Sequence, residues 1–337
     1  MNSQHLFLGI VAAASVAIAQ PRASYQQVPG YQGQEIGKLT GDVYYARMDD
    51  YVSAFMVTPE GIVLVEPIGV EMAQWLKGEL ASRFHVPVKY VIYSHSHWDH
   101  ASGGGIYADT AVTVGHVNML KNMAMPPADS PLPKNVAAQD TNGNGKIELA
   151  EAQGNVKAMF ALYDVDKDGT LSGAEIVRGP IGNVRAPDIT FTDHITITLG
   201  GKRVEVISKP TVHADDNTIV RFVDGANVVF ASDWITVHRL PFGPIRPDET
   251  PAVKSVEAMD FEYFVCSHGK LGKKSDVTAN REYREELQEA VAKAIAAGQT
   301  LEQAQAAITM DKYKDFEFFA VQRPQNIAGM YRALKGN

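Results

Sequence analysis

The segment HSHWDH at residues 95–100 places three imidazoles and one carboxylate within six residues. Zinc prefers neutral imidazole and carboxylate oxygen as ligands, and a catalytic zinc ion takes about three protein ligands and leaves a position for water. Alternate side chains of this segment can reach two neighbouring ions, but they do not complete two sites. His213, Asp233 and His268 each follow a predicted strand and are candidates for the missing ligands. Cys266 is the single cysteine of the sequence, so a thiolate cluster is excluded.

The HxHxDH pattern, followed by a distant His, Asp and His in that order, resembles the signature of the metallo-β-lactamase-fold hydrolases. The match covers residues 43–125 and 184–274. The resemblance implies a dinuclear zinc site of the glyoxalase II and lactonase type, in which a metal-bridging hydroxide attacks the substrate and Asp99 and Asp233 are catalytic. The implied ligands are His95, His97 and His213 for the first zinc ion, Asp99, His100 and His268 for the second, and Asp233 as the bridge.

Residue identities at two of these positions discriminate between chemistries within the resembled family. His97 occupies the place that diiron, oxygen-reducing relatives fill with Glu, which favours zinc and hydrolysis. β-Lactamases of this fold usually have Cys or Ser where this sequence has Asp233, whereas Asp is typical of glyoxalase II-like thioesterases and lactonases. We therefore expect hydrolysis of a small ester, lactone, thioester or amide. A β-lactamase is the alternative enzyme, and a calcium-dependent binding module on an inactive hydrolase scaffold is the alternative from another class.

Two segments match the twelve-residue EF-hand loop, which binds calcium through oxygen ligands at positions 1, 3, 5, 7 and 12, with Gly at position 6. The loops start 24 residues apart, so the short segment 152–163 must serve as a helix shared by both. One or two calcium ions are predicted, with tighter binding in the second loop because it has four carboxylates in ligand positions. The predicted ligands are Asp140, Asn142, Asn144, Lys146 and Glu151 in the first loop, and Asp164, Asp166, Asp168, Thr170 and Glu175 in the second.

The elements that position these residues form two blocks of strands. The runs VYYARM, YVSAFMV and IVLVEP predict an opening meander, and apolar residues at helical spacing over 71–84 predict a helix before a short strand at 88–93. After residue 184, the runs ITFTDHITITL, KRVEVIS, TIVRFV, NVVFAS and YFVCS predict the second block. These blocks, together with the resemblance to the metallo-β-lactamase-fold hydrolases, imply an α+β fold: a four-layer αββα metallo-β-lactamase sandwich with a small α-helical EF-hand insertion and a helical C-terminal tail.

The predicted division of the chain follows these blocks. The apolar run 6–19 has 14 residues, fewer than the roughly 20 that span a bilayer, and it ends in a small-x-small pattern. It predicts a signal peptide cleaved after Ala19 and export to the periplasm or the medium, with a buried N-terminal helix as the alternative. The predicted segments are 1–19 signal peptide, 20–38 polar N-terminal segment, 39–125 first half of the fold, 126–180 EF-hand insertion, 181–275 second half, and 276–337 C-terminal helices.

The charge balance limits the classes of partner. The 31 basic and 39 acidic residues give a formal charge of −8, so we expect a small-molecule substrate, no nucleic acid and no membrane span, and the oligomeric state stays open.

Five further residues bear on the predicted site. Glu66 stands where the resembled family commonly has Asp. His116 and His238 follow strand-like runs and are candidates to line the pocket. Trp98 and Trp234 adjoin predicted ligands and belong either to the pocket wall or to the core.

Overall fold

The computed structural model describes residues 33–336, so the predicted signal peptide lies outside the described residues. The first part of the chain begins with four consecutive strands and then alternates strands with helices. Its buried strands are almost continuous apolar runs because both of their faces are covered. Its elements are β1 (Gln34–Thr40), β2 (Val43–Met48), β3 (Tyr51–Thr58), β4 (Gly61–Val65), α1 (Gly69–Phe84), β5 (Val88–Ile92), α2 (Trp98–Ala101), β6 (Val112–His116) and α3 (Asn118–Met123).

A small unit of short elements follows, in the segment predicted as an insertion. It has its own apolar cluster, which includes Ile147, Val156, Phe160 and Leu171. Its two strands pair antiparallel, with Ile147 opposite Leu171. Its elements are β7 (Ile147–Glu148), α4 (Gly154–Ala158), α5 (Phe160–Tyr163), β8 (Thr170–Leu171) and α6 (Gly173–Arg178).

The remainder of the chain supplies the second block of strands and the helical tail. The predicted tail helix, with its stop at Gly298, is confirmed: it ends at Ala296, and Gly298 has φ +74°. The elements are β9 (Ile189–Phe191), β10 (His194–Leu199), β11 (Lys202–Ser208), β12 (Thr218–Phe222), β13 (Val228–Ala231), α7 (Thr250–Glu257), β14 (Tyr263–Val265), β15 (Gly272–Lys273), α8 (Lys274–Ala296), α9 (Leu301–Ala307) and α10 (Phe319–Lys335).

Two sheets form the body of the protein. The first has seven strands in the order β1-β2-β3-β4-β5-β6-β9, and the second has six in the order β10-β11-β12-β13-β14-β15. One apolar cluster joins the facing sides of the sheets and includes Val63 and Val220. Another joins the first sheet to α1, where Leu76 packs, and a third joins the second sheet to α7 and α8. The helix–sheet–sheet–helix layering confirms the predicted αββα sandwich.

The chain crosses from one sheet to the other in the middle of an apparently uniform β-run. The run ITFTDHITITL predicted strands of the second block, but Ile189–Phe191 pairs in parallel with β6 in the first sheet. The change of sheet falls at Thr192-Asp193, where Nε2 of His116 lies 2.8 Å from the Thr192 carbonyl oxygen. A tertiary pairing therefore divides a run that is continuous in β-propensity.

Two other elements differ from the sequence-based expectation. The first sheet begins at Gln34, inside the segment expected to be a polar N-terminal segment, and its polar residues suit an edge strand. The single helix expected between the two loops is broken at Met159, whose φ of −110° and ψ of 16° lie outside helical values. The second piece, α5, is held by a hydrogen bond from the Gly182 N–H to the Leu162 carbonyl oxygen, at 3.1 Å.

Candidate metal centre

The loops that follow several strands bring all seven predicted zinc ligands to one place. Residues 95–100 follow β5, and His97 is the N-cap of the short helix α2. His213 lies between β11 and β12, Asp233 follows β13 and His268 follows β14. The side chains form two groups in which the potential ligand atoms lie within 4.8 Å of one another: His95, His97, His213 and Asp233 in one, and Asp99, His100 and His268 in the other.

The Asp233 carboxylate belongs to the first group and also contacts the second. Its Oδ2 atom is 3.2 Å from Nε2 of His213 and 3.0 Å from Nε2 of His100. Its Oδ1 atom is 3.3 Å from Nε2 of His268. Asp233 also has a positive φ of 31°, uncommon for a residue with a Cβ, so the surrounding structure holds it in a strained conformation. One carboxylate thus faces imidazoles of both groups, as a bridging ligand must.

Glu66 orients His100 directly and His95 through the Ser94 hydroxyl. Its Oε2 atom is 3.0 Å from Nδ1 of His100, and its Oε1 atom accepts a hydrogen bond from the Ser94 hydroxyl. The Ser94 hydroxyl is also 2.8 Å from Nδ1 of His95. Because the Nδ1 atoms are engaged in this way, the Nε2 atoms of His95 and His100 point towards the centre. Glu66 is fully buried and therefore holds these partners without competition from water.

A second buried carboxylate, which the sequence reasoning did not single out, orients His268. Oδ2 of Asp50 is 3.3 Å from Nδ1 of His268, and both Asp50 oxygens accept hydrogen bonds from Arg239, at 2.7 and 2.8 Å. Arg239 is 1% exposed and also donates to Glu317 in the tail, at 2.9 Å. No local motif marks Asp50, because its partners lie about 190 and 220 positions further along the chain. Beside it, the Tyr51 ring packs 4.4 Å from His268.

The electrostatics of the cluster divide its histidines into two kinds. Burial and the neighbouring histidines lower the pKa of His95 and His97, which favours the neutral imidazole that zinc requires. Burial also opposes the charge of His100 and His268, but nearby carboxylates outweigh it, and the pKa of His268 rises to about 9. Burial alone would raise the pKa of the Asp233 carboxyl, but His100 and His268 hold it well below its usual range.

The donor set fits two zinc ions. Five imidazoles and two carboxylates converge, and the described residues bring no thiolate into either group. The Nε2 atom of His100 is buried and faces Oδ2 of Asp233 at 3.0 Å and Oδ2 of Asp99 at 3.3 Å, without hydrogen-bond geometry to either among the described residues. One imidazole nitrogen and two carboxylate oxygens that face one another in this way are ligand types that suit zinc. His95 and His100 are almost fully buried, whereas His213 is partly exposed, so the centre opens to solvent on the His213 side.

Other residues near the centre fall into different environments. Trp98 lines a pocket beside the site, whereas Trp234 is 3% exposed and packs in the core under the second sheet. His116 is bonded to Thr192 at the sheet crossing, and His238 pairs with Asp276, at 3.1 Å. Neither of these histidines belongs to the two ligand groups. Cys266 is buried, and burial raises the pKa of its thiol to about 12.

The two acidic loops of residues 126–180 fold around their own side chains. In the first loop, Asp140 accepts hydrogen bonds from the backbone N–H groups of Gly143, Asn144 and Gly145, at 2.8 to 3.1 Å. In the second loop, three carboxylate oxygens lie within 4.8 Å of one another, one each from Asp164, Asp166 and Asp168. Oδ1 of Asp164 is buried and has no hydrogen-bond partner among the described residues.

The last predicted ligands of these loops have hydrogen-bonded carboxylates. Glu151 Oε1 accepts from the Thr141 N–H at 3.0 Å, and Glu175 forms a capping box with Ser172 at the start of α6. The Lys146 ammonium reaches across to the second loop and lies 3.0 Å from Asp168 Oδ2. Among the predicted ligands of the first loop, Asn142 and Asn144 are exposed, and Asp140, Lys146 and Glu151 are partly exposed. Glu175, in the second loop, is only 4% exposed.

Comparison with known proteins identifies the family. Residues 51–268 match the family model of the metallo-β-lactamase superfamily. The chain therefore belongs to the metallo-β-lactamase superfamily. It matches none of the curated proteins with which it was compared. No helix of the described residues is both long and apolar enough to span a membrane.

Solved structures with this fold include the sec-alkylsulfatase Pisa1 from Pseudomonas sp., with a TM-score of 0.59 and 15% identity over 89% of this chain. A double mutant of the sec-alkyl sulfatase PisA1 has a TM-score of 0.60 and 14% identity over 90% of this chain. This chain spans about half of both, with 50% of each covered. A metallo-β-lactamase from Pontibacter korlensis has a TM-score of 0.49 and 16% identity, covering 74% of this chain and 99% of that one. At these identities the similarity shows the fold alone.

Proposed function

We propose that this protein is a dinuclear zinc hydrolase that cleaves a small ester, lactone, thioester or amide. The contacts that Asp233 makes with both groups of potential ligands carry this proposal. In the proposed arrangement, His95, His97 and His213 hold one zinc ion, and Asp99, His100 and His268 hold the other. Bound zinc lowers the pKa of a water ligand to about 7 and polarises a carbonyl oxygen.

The chain's own residues position this chemistry. Glu66 and Asp50 fix the Nδ1 sides of His100 and His268, so that the Nε2 atoms face inward. Asp99 adds a carboxylate 3.3 Å from Nε2 of His100 and receives a long contact of 3.5 Å from the Tyr51 hydroxyl. These contacts limit the freedom of each ligand before substrate binds, and such preorganisation is what an active metal site requires.

The subtype is proposed from the ligand identities. Asp at position 233 favours a glyoxalase II-like or lactonase-like chemistry over that of a β-lactamase, in line with the sequence resemblance. The complete ligand set argues against a binding module on an inactive scaffold. The similarity to the sec-alkylsulfatase fold adds secondary alkyl sulfates to the substrates that a screen should contain.

We further propose that residues 126–180 are an EF-hand pair that binds one or two calcium ions. The grouping of Asp164, Asp166 and Asp168, the unpartnered Oδ1 of Asp164 and the pairing of β7 with β8 support this assignment. Export of the protein, which the N-terminal sequence predicts, would place the loops where calcium is plentiful. Calcium then acts as a stabiliser of the insertion.

Metal analysis and a substrate screen test the proposed enzyme together. We expect two zinc ions per chain after loading, and hydrolysis of at least one class among esters, lactones, thioesters, amides, β-lactams and secondary alkyl sulfates. His97→Gln should lose zinc and activity. His238→Gln is the matched control, because His238 lies outside both ligand groups. One zinc ion or none, or equal activity in both variants, would contradict the proposal, and turnover of β-lactams alone would favour the alternative enzyme.

A further inference from the structure

A pocket of about 490 Å³ opens beside the candidate metal centre. The predicted ligands His97 and His213 line it, together with Trp98. Residues 178–181 also line it, at the point where the insertion ends and the chain returns to the first sheet. A substrate that reaches the metals through this pocket therefore contacts the insertion.

Arg178 is the cation among the described residues that line this pocket, and its hydrogen-bonding capacity is not satisfied. Its Nε atom donates to the Met123 carbonyl oxygen at 3.0 Å, which fixes the guanidinium plane. Its Nη1 atom is buried and has no partner among the described residues, so Nη2, which is not buried, is the nitrogen that a ligand in the pocket can reach. Burial lowers the pKa of this guanidinium, yet arginine remains a cation in proteins. A partly buried cation with an unused donor costs free energy unless a partner binds it.

The acidic residue of the same pocket already has partners. Asp215 Oδ1 accepts a hydrogen bond from Asn122 at 2.8 Å, and Oδ2 is 3.5 Å from the Lys121 ammonium. Its charge is therefore partly compensated, and it does not engage the Arg178 guanidinium in the structure. The Glu175 carboxylate acts on the Arg178 charge but does not line the pocket. An incoming oxyanion thus meets a cation that the pocket's own carboxylate does not neutralise.

We propose that Arg178 binds an oxyanion group of the substrate, such as a carboxylate, at a distance from the scissile bond. This proposal rests on the proposed function and narrows its substrate class to anionic esters, lactones, thioesters or amides. Arginine suits the role because its planar fork of donors matches the two oxygens of a carboxylate.

The position of Arg178 depends on the second predicted calcium loop. Glu175, at the twelfth position of that loop, caps α6, and Arg178 is the last residue of this six-residue helix. Arg178 therefore lies less than one helical turn from the loop's final ligand. In this proposal the insertion contributes to substrate binding, because it supplies the Arg178 side chain to the pocket.

A matched pair of esters tests the proposal on the zinc- and calcium-loaded protein. The probes are 4-nitrophenyl butyrate, which is neutral, and mono-4-nitrophenyl glutarate, whose acyl chain ends in a carboxylate. Arg178→Gln should raise KM for the glutarate ester at least tenfold more than for the butyrate ester. Arg178→Lys, which keeps the charge but loses the fork, should give an intermediate value. Arg83→Gln, an exposed arginine of α1 outside the pocket, is the control and should change neither KM.

Calorimetric titration with glutarate provides a readout independent of turnover. The unaltered protein should bind glutarate at least tenfold more tightly than Arg178→Gln, with Arg83→Gln unchanged. An equal rise in KM for both esters, or equal glutarate affinity in all variants, would overturn the role of Arg178. If neither ester is hydrolysed by any form, the proposed hydrolysis of simple esters fails, and the titration still decides whether Arg178 binds an oxyanion.

Discussion

Replacing Asp50 by Asn perturbs the buried pair that supports His268. Asp50 is 5% exposed and accepts two hydrogen bonds from Arg239, which is itself buried. Removing one partner of a buried ion pair typically costs about 3–5 kcal/mol, because the other charge is left without compensation. Arg239 keeps its bond to Glu317, so we expect a loss near the lower limit, about 3 kcal/mol.

The pKa of Asp50 supports the same magnitude. Burial alone would raise this pKa, but Arg239 and His268 lower it from 3.8 to about 2. Each pKa unit is worth about 1.36 kcal/mol, so the charged carboxylate stabilises the fold by roughly 2.5 kcal/mol at neutral pH. Because the folded-state pKa is depressed, this contribution is present above the unfolded-state pKa of Asp50 and is lost as the pH falls through about 2.

Urea unfolding of the zinc-free, calcium-saturated protein measures this effect at pH 7. A zinc-selective chelator removes zinc while excess calcium keeps the insertion loaded. Asp42→Asn is the control, because Asp42 forms an exposed pair with Lys202 at 3.2 Å, and such pairs contribute about 0–1 kcal/mol. The loaded Asp50→Asn protein should also bind zinc roughly 10–100-fold more weakly, because His268 loses the partner of its Nδ1 atom. A change in unfolding free energy no larger than that of Asp42→Asn would refute this reasoning.

Three other outcomes are expected. Asp99→Ala should lower kcat/KM by roughly tenfold or more and reduce the bound zinc, as steady-state kinetics and elemental analysis will measure, and unchanged kinetics would count against its role. Calcium removal should expose residues 126–180 to limited proteolysis before the rest of the chain. Calorimetry should find that Glu175→Gln reduces calcium affinity more than Glu151→Gln does. Equal protection of the segment without calcium, or the reverse order of the two variants, would contradict this account. Gly78→Ala in α1, where an added Cβ meets no atom within 4 Å, should raise the unfolding free energy by about 0.5–1 kcal/mol in a urea titration, and a loss would show an unrecognised strain.

Much of the fold was predictable because local patterns carry it. Met72, Leu76 and Leu80 recur at helical spacing, and these side chains are buried against the first sheet in α1. The positions of most strands could also be predicted, because β-branched and aromatic residues fill strands that are buried on both faces. The division of ITFTDHITITL between two sheets was not readable, because both halves have the same local preference and only their partners differ.

The broken helix at Met159 and the edge strand at Gln34 were not predicted, because both depend on tertiary contacts rather than on a local pattern. A short helix depends on tertiary contacts more than on its own propensity. The Gly182 contact that holds α5 lies about 20 residues away from it, outside any local pattern. The polar strand β1 has no apolar period, and only its pairing with β2 makes it a strand.

The sequence by itself indicated the seven candidate metal ligands, because their types suit zinc and their order resembles the signature of the family. The tertiary structure decided how those side chains are held. Asp50 reaches His268 and Arg239 only because the start of β3 meets the loop after β14, where Tyr51 pairs with His268. Arg178 likewise lines the pocket only because the insertion returns beside the metal-binding loops. Contacts between residues so distant along the chain depend on the packing of whole elements, and no local pattern encodes them.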